Sequence, residues 1–167
     1  MEMSGLDPEC CRILEIATII TDGDLKVLAE GPDLVVHQSD EVLAAMDEWC
    51  TRHHGDSGLT EQVRASTIDE AEAERLTLEF VQQWCEPEQS PLCGTSVFQD
   101  RRFIANYMPR LFDFLHYRLI DVASVRELAR RWHPQLKPPT KLDTHRALDD
   151  IRESIEELRF YQAELFR

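Results

Sequence analysis

The stretch RILEIATIITDGD, residues 12–24, is the part of the chain whose reading decides the fold. Residues 12–21 are nearly continuous in Ile, Leu, Ala and Thr, the pattern of a buried strand, and Asp22-Gly23-Asp24 closes it with a turn. Asp-Gly favours an antiparallel hairpin, with residues 25–28 and 34–36 as the following strands. Working outward, Ser39 caps a helix whose apolar face is Val42, Leu43 and Met46. Residues 66–85 read as a second helix, with Ala73, Leu76, Phe80 and Trp84 at helical spacing. Residues 91–94 form a short strand leading through Thr95-Ser96 into a helix that carries Asp100, Phe103, Ile104 and Tyr107. A strand at 117–122, a helix at 124–132 and a proline-bearing loop at 133–143 follow. The last helix, 144–166, turns Leu148, Ile151, Ile155 and Leu158 inward. Three strands followed by alternating helices and strands predict a mixed α/β sheet with helices on its faces, in one domain spanning 1–167.

Composition narrows the function. With 18 basic and 32 acidic residues the net charge is −14, which disfavours long polyanions, because counterion release to a basic surface supplies much of their affinity. A very short substrate, its few phosphates neutralised in a pocket, escapes that objection. The five cysteines are odd in number and show no C-x-x-C pair, so they read as reduced intracellular thiols. No apolar run is long enough for a membrane span and no signal-peptide pattern opens the chain, so the expected compartment is intracellular.

The chemistry concentrates in HRALDD, residues 145–150, together with Asp100 and Glu2. Each has a bland reading: Asp100 and Asp149-Asp150 as acids favoured by a helix dipole, His145 as a surface or capping histidine, Glu2 as a charged terminal residue. One site explains all four together. Carboxylates from three distant segments suit hard cations such as Mg²⁺ or Mn²⁺, and two such ions can clamp an in-line phosphodiester displacement, with a histidine to activate water. Helical positions five apart lie about 140° apart, so His145 and Asp150 do not share a helix face. By spacing alone, Asp149 serves as the ligand equally well.

The chain resembles the oligoribonuclease family of DEDDh 3′-to-5′ exonucleases, which have an RNase H-like fold. The resemblance rests on EMSGLD at 2–7, ILEIATIITD at 13–22, LAEGP at 28–32, SGL at 57–59, QDRRF at 99–103, HYR at 116–118, ELARRW at 127–132 and HRALDDIRES at 145–154. WCTRHHGDSGLTEQV, at 49–63, looks more like the animal members. The resemblance implies that Glu2, Asp100 and Asp150 (rather than Asp149) hold two divalent cations, Mg²⁺ or Mn²⁺, with His145 as general base. It implies that Leu6 wedges between two bases, that Trp49, His54 and Ser96 help hold an RNA dinucleotide, and that Tyr117 and Arg118 of a homodimer cap the substrate's 5′ phosphate. The bland alternatives make Leu6 and Trp49 core residues and Arg118 a surface ion-pair partner. The resemblance also implies a cytoplasmic or mitochondrial enzyme acting on short RNA, with no membrane and no long nucleic acid as partner.

Three positions depart from the family pattern. Met1-Glu2 stands where the family has Asp-Leu-Glu, so the first strand and its Asp are expected to be missing and activity to be impaired. Thr95 replaces a usual Asn and Ala123 a usual Ser. Two other readings follow: a catalytically impaired isoform that dimerises without a full metal site, and another DEDDh exonuclease such as a proofreading subunit. The acidic surface and the HYR segment argue against the latter.

Overall fold

The computed structural model describes residues 1–140 and 146–166. The apolar run forms β2 (Ile13–Thr21), which pairs antiparallel with β3 (Val27–Val35) and, on its other side, with the two-residue strand β1 (Glu2–Met3). Ile13 to Ile16 are buried one after another, as a strand covered on both faces requires.

The expected hairpin is present, with two differences. Its left-handed residue is Leu25 (φ 63°) rather than Gly23, and the Asp22 carboxylate secures the turn by accepting from the Asp24 and Lys26 amides (3.0 and 2.9 Å). The two strands expected at 25–28 and 34–36 are one continuous strand, β3. Pro32 is tolerated because β3 lies at the sheet edge. At Gly31 the Phe80 ring comes so close that a Cβ would sit 2.5 Å from it.

Three short helices replace the single one expected after Ser39: α1 (Asp40–Ala44), α2 (Glu48–Asp56) and α3 (Leu59–Ala65). Ser39 does cap α1, but Asp47 caps a new start at α2, and left-handed Gly58 (φ 73°) separates α2 from α3. The next helix, α4 (Glu70–Val81), begins at its own cap, Asp69, four residues later than expected, and Trp84 lies beyond its end, half exposed. β4 (Pro91–Gly94) leads into α5 (Val97–Tyr107), and α6 (Pro109–Phe114), which sequence patterning does not reveal, precedes β5 (His116–Asp121). α7 (Val122–Trp132) and α8 (Ala147–Leu165) complete the described elements.

The strands form two sheets: an antiparallel one ordered β1-β2-β3 and a parallel pair β4-β5. The architecture is α/β as expected, but the described strands fall into two sheets rather than one mixed sheet. Helix α8 packs on β2, β4 and α7 and so ties the two sheets together. Its most buried residues are Ala147, Ser154, Glu157 and Tyr161; the expected face of Leu148, Ile151, Ile155 and Leu158 is only half-buried. The rotation is explained by a buried ion pair. Glu157 holds the Arg126 guanidinium of α7 through two bonds of 2.5 Å and accepts from the Tyr161 hydroxyl (3.2 Å), drawing a polar stripe inward. The main core lies between β2, β3, α4, α5 and α6 around Ile13, Ile16, Leu34, Leu78, Phe103 and Met108, and a second cluster around Leu14, Leu43, Leu59 and Val63 fills the opposite face of β2.

Candidate active site

β1 places Glu2 opposite Glu15 of β2, the first turn of α5 carries Asp100, and the first turn of α8 carries Asp150. These three distant segments meet around one buried cation, the Met1 ammonium, whose nitrogen lies 3.4 Å from Asp100 Oδ1. Burial works against its charge, yet Asp100, Glu2 and Asp150 together hold its pKa above the ordinary amine value. Burial, opposed by the ammonium and aided by the Asp150 carboxylate, pushes the Glu2 carboxyl up to about 7. Asp100 is raised as well, by burial first, with the ammonium opposing.

Asp149 and Asp150 are separated by their partners. Asp149 pairs with Arg152 (3.3 Å) on the half-exposed side of α8, while Asp150 acts on Glu2 through charge and a side-chain hydrogen bond. His145 lies outside the described residues. Among the described residues, no group of three or more His, Cys, Asp or Glu is drawn together closely enough to hold a metal ion.

Sequence reading overlooked the group that anchors α8. Glu15 is fully buried in β2. Its Oε1 accepts from Arg146 Nε (2.8 Å) and Nη2 (2.5 Å), and its Oε2 accepts from the Ala147 amide (2.7 Å), an otherwise orphan donor at the start of α8. One carboxylate thus fixes the residue after His145 and the helix that bears Asp150, whose amide bonds to the Arg146 carbonyl (3.0 Å). The available signal was a lone acid inside an apolar strand, since buried carboxylates are paired. Glu15→Ala is expected to destabilise the fold by about 2–3 kcal/mol in urea unfolding, because Arg146 and the Ala147 amide lose their acceptor. Glu15→Gln, which keeps an acceptor for the amide, should lose less.

The expected substrate groups occupy different settings. Leu6 (71 % exposed) and Trp49 (49 %) are not core residues. The Leu6 carbonyl accepts from Gln99 and Arg102 of α5, and Trp49 stacks on His53 with ring centroids 3.9 Å apart. His54, by contrast, is buried; its Nε2 lies 3.0 Å from the Met3 carbonyl and its Nδ1 3.9 Å from Glu2 Oε2, so it braces β1. Ser96 adopts a left-handed conformation (φ 56°) and its amide donates to Asp121 Oδ1, which also caps α7 through the Ala123 amide. The Ala123 side chain is not needed for that cap. Thr95 bonds to Ser154 of α8 (2.9 Å), joining the end of β4 to that helix. Tyr117 and Arg118 lie on exposed β5, in the other sheet from Glu2, with the guanidinium 5.3 Å from the Tyr117 ring centroid.

Three carboxylates thus come from strand and helix ends on an α/β frame, and comparison with known proteins shows which family that frame belongs to. The exonuclease family model of the RNase T type matches residues 1–158. An oligoribonuclease of Marinobacter nauticus is 58 % identical over 168 residues, covering 100 % of this chain and 93 % of its own length. Oligoribonucleases of Pseudomonas savastanoi (60 %) and Pseudomonas aeruginosa (56 %) each cover 97 % of this chain, and 90 % and 91 % of their own lengths. The chain belongs to the exonuclease family and, within it, to the oligoribonucleases, and it is an exoribonuclease on the RNase H-like fold. These relatives are bacterial, so they lend no support to the animal-like reading of residues 49–63 or to a mitochondrial setting. Among the described residues, no helix is long and apolar enough to cross a membrane.

Proposed function

We propose that the chain removes nucleoside monophosphates from the 3′ end of very short RNA, dinucleotides above all, using two divalent cations, Mg²⁺ or Mn²⁺. The observation that carries this reading is that Glu2, Asp100 and Asp150, from three distant segments, come near one another, with Asp150 acting on Glu2 through charge and a side-chain hydrogen bond. Their donors are hard oxygens of the kind that suit a hard cation, and burial favours protonation of Glu2 and Asp100 when counter-charge is insufficient. Bound ions would supply Lewis-acid polarisation and charge neutralisation at the phosphate. Glu2, Asp100 and Asp150 bind and orient; His145 takes the proton from the attacking water as the P–O3′ bond breaks. The exposed faces of Leu6 and Trp49 offer apolar surface to two bases.

A homodimer, with Tyr117 and Arg118 closing over the partner's substrate phosphate, accounts for the restriction to short RNA. The exposed apolar residues Tyr117, Ile120, Leu128 and Trp132, on the consecutive elements β5 and α7, supply a surface for a second copy. A monomeric mass in solution contradicts this part of the reading. The preference itself is tested by comparing kcat/KM for a 5′-phosphorylated RNA dinucleotide and a long single strand. The dinucleotide should be strongly preferred; equal efficiency overturns the capped-phosphate reading.

The raised Glu2 carboxyl gives a pH dependence with a definite sign. Its pKa rises from 4.5 in the unfolded chain to about 7 in the fold, so its contribution to stability is fully present below about 4.5 and is lost as pH rises through about 7. In chelator, Tm should therefore decline across that window. Mn²⁺ must displace the same proton, so the Tm increase that it produces should be larger at pH 8 than at pH 6. An equal increase at both pH values removes Glu2 from the cation site.

A further inference from the structure

Cys10 and Cys11 are adjacent in sequence, and the turn after Pro8 brings their sulfurs to one side. The amides of both donate to the Asp7 carbonyl (3.2 and 2.8 Å), and the two Sγ atoms lie 3.9 Å apart. The backbone of this turn is clamped from α5: the Tyr107 hydroxyl is within 2.6 Å of the Pro8 carbonyl and 2.8 Å of the Cys11 carbonyl, and Asn106 Nδ2 donates to Pro8 (3.1 Å). Ser4 Oγ accepts from the Arg12 amide (2.9 Å) on the other side. Cys11 Sγ sits beneath Gly5, where a Cβ would come within 2.6 Å of it, while Cys10 is exposed.

This separation suits one bridging atom rather than a disulfide. Two sulfurs bound at about 2.3 Å to a tetrahedral centre lie about 3.8 Å apart. A disulfide would need them at about 2.05 Å, from Cα atoms only about 3.8 Å apart, below the usual disulfide range. We propose that Cys10 and Cys11 form a preorganised bidentate site for a soft, thiophilic centre, either a trivalent arsenical or a divalent cation such as Cd²⁺ or Zn²⁺. With an arsenoxide, R–As=O, the two S–H protons and the arsenic-bound oxygen leave as water while two As–S bonds form, with no change of oxidation state. With a divalent cation, two protons are released as two metal–sulfur bonds form.

The test uses the whole chain, titrated separately with phenylarsine oxide and with Cd²⁺, with free thiols counted by a chromogenic disulfide and sulfur-to-cadmium absorption recorded. One equivalent should protect two of the five thiols. Cys10→Ser and Cys11→Ser should each weaken binding by about 100-fold or more, as expected when a chelate becomes a single contact. Cys93→Ser, at an exposed thiol elsewhere, should bind as the parent does. Binding by the arsenical alone, or by Cd²⁺ alone, assigns the site to that source. Undiminished binding in either single variant, or protection of no thiols by both probes, overturns the proposal. Tm of each variant is measured alongside, and a folded variant with unchanged binding is decisive.

Discussion

His145→Ala is expected to lower kcat for dinucleotide hydrolysis by about 10²–10⁴-fold, with KM little changed, because proton removal from the attacking water is felt only in the transition state. The limb of the pH–rate profile that reports a general base should disappear. Added Mn²⁺ should not restore turnover, since no ion ligand has been lost. Steady-state kinetics across pH check all three points, and unchanged kcat removes His145 from the role.

Asp100→Asn should cost at least as much, by another route. The substitution removes one unit of negative charge beside the Met1 ammonium, at a carboxylate that burial already disfavours. Partners that merely orient a metal ligand are worth about 10–100-fold, so loss of a direct ligand should exceed that range. Because the lesion is one of affinity, raising the Mn²⁺ concentration should recover part of the activity. Recovery in Asp100→Asn and none in His145→Ala separates ligand from base, and the same metal response in both contradicts the assignment.

The strand and hairpin at residues 12–36 were legible because continuous burial and turn chemistry act locally. The division into α1, α2 and α3 was not, because Asp47 and Gly58 each end an apolar pattern that could have continued, and caps outweigh periodicity over so few turns. The inward face of α8 was misplaced for a different reason. Periodicity counts apolar residues, and this helix buries Glu157 because Arg126 arrives from another element to pair with it. Glu2, Asp100 and Asp150 could be picked out as candidates by residue type and motif, and in the structure all three act on the amino group of Met1. Glu15 could not be assigned a partner from sequence, because its partner Arg146 lies 131 residues away. The packing of His54 against β1, with almost no exposed surface, is likewise not visible in residue type or spacing.

The most direct measurement follows a 5′-phosphorylated RNA dinucleotide with the purified chain, with Mg²⁺ or Mn²⁺ present and after removal of the ion by a chelator. Release of two nucleoside monophosphates with the ion, its loss on chelation and its loss again in Asp150→Asn are the predicted results. Equal release with and without the ion, or undiminished release by Asp150→Asn, would contradict the account that these carboxylates form a cation-assisted site for hydrolysing short RNA.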